Sequence, residues 1–244
     1  MSVILSLDSS TDACSVALNV NGQLSGRFEL AAKSHTQRLL PMVDELLHSQ
    51  SLKLQDLDAI AFGRGPGSFT GLRICMGIVQ GLAFGAQLPV IPVSTLESMA
   101  LAYYRANPDI DLPVLATLDA RMDEVYWGSF VRSEDSVQAL CAEHVMKPEL
   151  LTAQAPIQQL LAKNAGEQFI AVGSGWHYPA MQQLAAGTIV VDIQPQAEAM
   201  ALIAAKVWSA GGAIDVLDAE PVYLRDTISW QKRQRIRNPD QGSL

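Results

Sequence analysis

ILSLDSSTDACSVALN, residues 4 to 19, can be laid on LATLDARMDEVYWGSF, residues 115 to 130, so that Leu7 meets Leu118, Asp8 meets Asp119 and Asp12 meets Asp123 at one offset of 111 residues. Each copy reads as an apolar strand ending in aspartate, a short polar turn, and a second strand. Two matched aspartates alone would be weak, but the matched strand, turn and strand around them make internal duplication the better account. RANPDIDLP, residues 105 to 113, is polar, carries two prolines and reads as the boundary between the copies.

Outward from the first aspartate, NGQ at 21 to 23 is a hairpin turn into a third strand ending near Leu30. Ser34 to Ser49 turns helical, with Leu39, Leu40, Val43, Leu46 and Leu47 on a broad stripe and Pro41 at a kink or early turn. DAIAF is a strand, a glycine-rich corner follows, and ICMGIVQGLAFG is helix-like. PVIPVS is a further strand, and Ser94 with Glu97 reads as a capping box opening a helix to about Tyr104. After the second aspartate the pattern predicts a helix near 148 to 163, a strand FIAVG, a helix from about Pro179, a strand TIVVD, and a helix QAEAMALIAAKVWSAGG stopped by Gly211.

The chain has 244 residues, 49% hydrophobic and 17% charged, enough to bury a large core without disulfides or metals. Its formal charge of -8 argues against a dominant nucleic-acid face, because gripping phosphates takes concentrated lysine and arginine. Only the end is basic: QKRQRIR carries Lys232, Arg233, Arg235 and Arg237, either a solvated tail or a local RNA contact. MSVILSLDSS has no basic leader, and Asp8 breaks its apolar run too early for a signal peptide or anchor. Arg73 and Gln80 interrupt the apolar run 70 to 87, which falls short of a spanning helix. Cys14, Cys75 and Cys141 are widely spaced and read as reduced packing thiols of a cytosolic protein.

Two halves that each open with strand, turn and strand describe a duplicated actin-like α/β fold (ASKHA, ribonuclease H-like) with two subdomains. The expected boundaries are 1–108, 109–228 and a basic tail 229–244. In the actin, sugar-kinase and heat-shock ATPase superfamily that shares this architecture, the turn after each half's first strand holds ATP phosphates. The sequence further resembles the bacterial TsaB (YeaZ) family over essentially its whole length. LDSST at the start, GRGPGSFTGLRI in the middle, LDARMDEVYW at the repeat and EPVYLRD near the end carry the likeness.

That resemblance implies a non-catalytic cytoplasmic scaffold subunit in the threonylcarbamoyladenosine modification of tRNA, supporting a catalytic paralogue, TsaD. It implies a heterodimer with TsaD, a larger assembly with the ATPase TsaE, self-pairing as a homodimer, no membrane, and tRNA met only indirectly or through the tail. No cofactor is expected for the isolated chain, and the partner interface is the place open to a nucleotide. The paralogue holds a metal with a VNHLEGH-type segment; here VSTLESM puts Thr95 and Met99 in the two histidine places, so no metal site is expected. His35, His48, His144 and His177 are scattered and read as surface or cap residues.

Asp8, Ser9, Ser10 and Thr11 resemble the superfamily's first phosphate turn and are the candidate nucleotide residues. Their counterparts from Asp119 to Met122 lack glycine and carry long side chains where backbone would have to approach an anion. A clamp with one jaw is poor at phosphoryl transfer, which leaves an ATP-dependent small-molecule kinase as the alternative reading. GRGPGSFTG matches neither a dinucleotide fingerprint nor a P-loop; it is either a tight strand-to-helix corner or an anion cradle, with Ser68 or Thr70 able to cap the helix. Gly77, Gly81 and Gly85 then form a stripe, each costing about 1 kcal/mol against alanine. A helix backbone lying close by would repay that cost, either the 39 to 47 helix of this chain or a helix of another subunit. The partner-binding residues expected on this basis are Leu39, Val43, Leu46, Gly77 and Gly81.

Overall fold

The computed structural model describes residues 2–163, 169–184 and 187–225. The two matched stretches form two hairpins, each the centre of its own sheet. In the first sheet β1 (Val3–Asp8) runs antiparallel to β2 (Ala13–Val20), which pairs antiparallel with β3 (Gln23–Leu30). On the other side of β1 lie β4 (Ala59–Gly65) and β5 (Val90–Ser94), both parallel. The second sheet repeats the arrangement. Its β6 (Val114–Arg121), β7 (Glu124–Ser133) and β8 (Ser136–Ala139) are antiparallel neighbours, β9 (His144–Met146) pairs with β7, and β10 (Ile170–Val172) and β11 (Thr188–Val190) add in parallel.

The orders are β3-β2-β1-β4-β5 and, from the matching side, β8-β7-β6-β10-β11, so the duplication in the sequence is a duplication of topology. The match slips by one residue past the turn: Leu7 pairs with Val16, but Leu118 pairs with Tyr126. The second turn is tighter because Arg121, Met122 and Asp123 all take left-handed backbone, at φ of 61°, 58° and 57°.

Helix α1 (His35–Ser49) and helix α2 (Phe69–Ala86) cover the outer face of the first sheet. Leu39, Met42, Val43, Leu46 and Leu47 of α1 and Leu72, Cys75, Met76, Val79 and Ala83 of α2 recur at helical spacing and bury against Leu5, Leu7, Ile60 and Phe62. Helix α3 (Thr95–Ala106) is followed in the chain by α4 (Ala155–Lys163), the single turn α5 (Pro179–Gln182) and α6 (Ala197–Ser209).

Helices α3 and α6 lie between the two sheets and are exchanged. α3, from the first half, packs on β6 and β7, whereas α6, from the second, packs across β1 and β2. Ile4 and Ala61 of one sheet and Val114 and Leu118 of the other share a single core with Leu96, Met99, Met200 and Ile203 of these helices. A third core under the far face of the second sheet holds Trp127, Phe169 and Trp176.

Three local expectations differ from the structure. The helix expected near 148 to 163 is a 3-10 turn, Pro148–Ala153, and then α4. Pro156 stands in the first turn of α4, where a missing amide donor costs nothing, and Gln154 before it, in extended backbone, leaves the preceding turn separate. The helix from Pro179 is one turn long, and strands β8 and β9 were not anticipated.

Candidate functional site

The expected phosphate turn, Asp8 to Thr11, folds inward. Asp8, Ser9 and Ser10 are buried and Thr11 is half-buried. Asp8 Oδ2 accepts from the Ser10 amide at 3.1 Å and the Ser10 hydroxyl at 2.9 Å. Ser9 Oγ donates to the Gly71 carbonyl at 2.9 Å, the Ser68 amide donates to the Ser10 carbonyl at 2.7 Å, and Thr11 Oγ1 accepts from the Ala13 amide at 3.3 Å.

The glycine corner closes over this turn. A Cβ on Gly67 would lie 2.5 Å from the Ser10 carbonyl oxygen, one on Gly71 would lie 2.0 Å from that of Ser9, and one on Gly63 would lie 2.0 Å from Asp8 Oδ1. GRGPGSFTG is therefore the tight corner and not the cradle, and Ser68 caps α2 by accepting from the Gly71 amide at 3.3 Å. Asp8 Oδ1 has no hydrogen-bond partner, and burial lifts the carboxyl from 3.8 to about 7. Apart from Asp8 Oδ1, the side chains of Asp8, Ser9 and Ser10 expected to face an anion are engaged by the chain itself.

The second turn is likewise tied by its own side chains. Asp119 Oδ1 accepts from the Arg121 amide at 2.8 Å and from Tyr178 Oη at 2.9 Å, while Oδ2 takes Arg121 Nη1 at 3.2 Å. Both aspartates thus fasten the amide two residues on, the same local device at matched places. Arg225, coming from the far end of the chain, lies across this second turn and takes the carbonyls of Ala120 and Arg121 at 3.2 and 3.4 Å.

Thr95 and Met99, at the paralogue's metal positions, are buried core residues. The Met99 methyl fills the space beside Gly173, where an added Cβ would lie 2.4 Å from it. Two of the scattered histidines hold local structure: His35 Nε2 lies 2.8 Å from the Thr11 carbonyl, and the His144 ring lies 5.1 Å from that of Trp127. Among the described residues no three His, Cys, Asp or Glu side chains group to hold an ion. Burial raises the Cys14 thiol to about 11 and Cys75 well above its usual value, in keeping with packing thiols.

One joint was missed in the sequence. Ser94 Oγ accepts from the Glu97 amide at 3.2 Å, the expected helix cap, and donates to Glu143 of the other half. Glu97 is raised to about 7 by burial and by Glu143, against the pull of Arg64 and Lys206; burial also raises Glu143. Glu143 lies in a stretch with no repeat partner or motif to mark it.

The expected docking face divides. Leu39, Val43 and Leu46 are 0%, 2% and 0% exposed, which corrects their assignment as contact residues: they point into the first sheet's core. Gly77 and Gly81 point outward, and a Cβ on either, or on Gly85, would meet nothing within 4 Å. The stripe is therefore not spent on α1. Beside it Phe84 and Leu40 are 70% and 47% exposed, and Leu40, Leu52 and Leu82 line a groove of about 300 Å³. By length and composition α2 is the one helix among the described residues apolar enough to cross a membrane, and its inner stripe packs on β4.

Paired sheets of one topology, exchanged helices between them and two aspartate turns define a duplicated actin-like α/β protein. The family model described as TsaD: tRNA N6-adenosine threonylcarbamoyltransferase matches residues 29–223. The tRNA threonylcarbamoyladenosine biosynthesis protein TsaB of Escherichia coli (strain K12) is 44% identical, over 94% of this chain and 97% of that protein. Its namesake in Haemophilus influenzae is 42% identical, over 94% and 96%. The solved structure of YeaZ from Pseudomonas aeruginosa superposes with a TM-score of 0.83 at 40% identity, over 92% of this chain and 100% of that one. The chain belongs to the TsaB (YeaZ) family of tRNA threonylcarbamoyladenosine biosynthesis proteins.

Proposed function

We propose that this chain serves threonylcarbamoyladenosine biosynthesis on tRNA as a non-catalytic cytoplasmic scaffold that docks on a TsaD-type catalytic subunit through the outer face of α2. The names of its relatives support the pathway. The observation that carries the docking mode is the outward glycine stripe. Three glycines inside an exposed helix cost about 1 kcal/mol each, with no contact inside the chain to offset it. A helix backbone arriving from outside can approach most closely where side chains are missing, and Phe84 and Leu40 supply apolar area beside it. The same face suits self-pairing, so a homodimer and the TsaD heterodimer would compete for it.

The non-catalytic role is supported by both aspartate turns, which are closed by the chain's own atoms. A nucleotide, if one takes part, belongs at the partner joint, and TsaE joins the assembled pair. The subdomains are 1–108 and 109–228, tied by the exchange of α3 and α6. The basic segment 229–244, proposed as a local tRNA contact, lies outside the described residues.

The test is Gly81→Trp, with binding to purified TsaD followed by titration and size exclusion. The expected result is a native fold for the isolated chain and a loss of affinity of about 100-fold or more. Unchanged co-elution with TsaD would remove this face from the assembly.

A further inference from the structure

Residues 220–225, EPVYLR, lie apart from the outward glycine stripe of α2. They run from the corner of the first half to the hairpin of the second. The Val222 amide donates to the Arg64 carbonyl at 2.7 Å, at the end of β4. Gly65 there has φ of +104°, and a Cβ on it would lie 3.1 Å from the Val222 carbonyl oxygen and 3.0 Å from Leu72. Tyr223 sits on the first turn of α2: its ring is 5.4 Å from that of Phe69, and its hydroxyl accepts from Arg73 Nε at 3.2 Å. Two residues on, the chain has reached the other half. Arg225 Nε donates to Glu124 Oε2 at 3.0 Å, and its Nη2 bonds the same oxygen and the carbonyls of Ala120 and Arg121. The pair is largely shielded, with side chains 21% and 28% exposed.

We propose that residues 220–225 are a strap across the mouth between the two halves, fixing the angle at which the halves stand, with Arg225 as its buckle. The argument rests on what each end grips. At one end lies the corner that closes the first aspartate turn. At the other lies a hairpin whose three consecutive left-handed residues need outside support to persist. A guanidinium suits that place, because its planar fork can take a carboxylate and backbone carbonyls together. A tie gripped by the end of β4 in one half and by the β6–β7 turn in the other limits how far those two points can move apart. The strap also places a cation of the chain's own on the second turn.

The full-length chain can be tested without any partner. In a Cys141→Ser background, Gln55→Cys and Gln183→Cys place one spin label on each half at exposed positions, and the buried Cys14 and Cys75 stay unlabelled. Double electron–electron resonance then reads the distance between halves. The expected result is a single narrow distribution for the parent and one broadened about twofold for Arg225→Ala, with smaller broadening for Arg225→Lys and Glu124→Gln. Arg27→Ala, a change at an exposed arginine away from the strap, should match the parent. A parent-like width for Arg225→Ala overturns the strap. Should Arg225→Ala fail to fold, Glu124→Gln decides: broadening upholds the proposal and an unchanged width overturns it. Because TsaD is absent from the experiment, failure here is separate from failure of the docking face.

Discussion

Two rows of glycine, both spaced by four residues, follow one another in the chain, with the last of one and the first of the next six positions apart, and have opposite surroundings. Gly63, Gly67 and Gly71 face the chain's own first turn, with room for no further atom. Gly77, Gly81 and Gly85 face open space. The first row is dictated by folding, because the first turn's backbone lies against Gly67 and Gly71 and the Asp8 carboxyl against Gly63. The second costs helix stability and returns nothing to the isolated chain, so its reason has to be sought outside it. Spacing alone does not separate the two; only the surroundings do.

The largest effects are expected in the inner row. Gly71→Ala puts a methyl 2.0 Å from the Ser9 carbonyl oxygen, a backbone atom held by the β1–β2 hairpin and unable to step aside. Overpacking of this kind costs about 1–3 kcal/mol and more where nothing relaxes, so a loss of about 3 kcal/mol or more is expected in urea unfolding. Gly63→Ala should cost less, because its methyl meets the Asp8 side chain, which can rotate. Equal losses at the two positions would show that backbone rigidity is not what sets the cost.

The turn inside that row should also be read out by pH. Asp8 is raised from 3.8 to about 7 in the fold, so the folded state favours its neutral acid. The stability this contributes is fully present below the unfolded pKa and is lost as pH rises through about 7; Glu97, raised from 4.5 to about 7, works in the same direction. Stability should therefore fall from about pH 4 to about pH 7 and level off above, and Asp8→Asn should flatten part of that slope. A variant with the parent's slope would mean that Asp8 titrates alike folded and unfolded.

What the sequence disclosed, and what it hid, follows the same division between local and distant causes. The strands around Asp8 and Asp119 were legible because an apolar run ending in aspartate and a turn is a local pattern, and its repetition at one offset exposed the duplication. The Ser94 and Ser68 caps were legible for the same reason. The α1 stripe was read correctly as helical, yet its residues were assigned to a partner when they face β1 and β4. Periodicity marks an apolar face and cannot say which neighbour covers it. Glu143 on Ser94 and Arg225 on Glu124 join residues far apart in the chain, and no composition or spacing announces them. The exchange of α3 and α6 between the halves was hidden likewise, because each helix follows its own half in sequence.

The smallest effect bears on the outer row and has the opposite sign. Gly81→Ala adds one methyl to an exposed helical position where it meets nothing, so the isolated chain should gain about 1 kcal/mol through helix propensity alone. The inner row predicts a loss for the same substitution, which makes the pair Gly71→Ala and Gly81→Ala a direct measure of the contrast. If the outer row is kept open for another backbone, the more stable Gly81→Ala chain should bind TsaD more weakly than the parent, since the methyl holds the approaching helix off. A stabilised chain with undiminished binding would leave the outer glycines without a role at that interface. A destabilised chain would mean that α2 packs its glycine side against this chain after all, and the two rows would then share one cause.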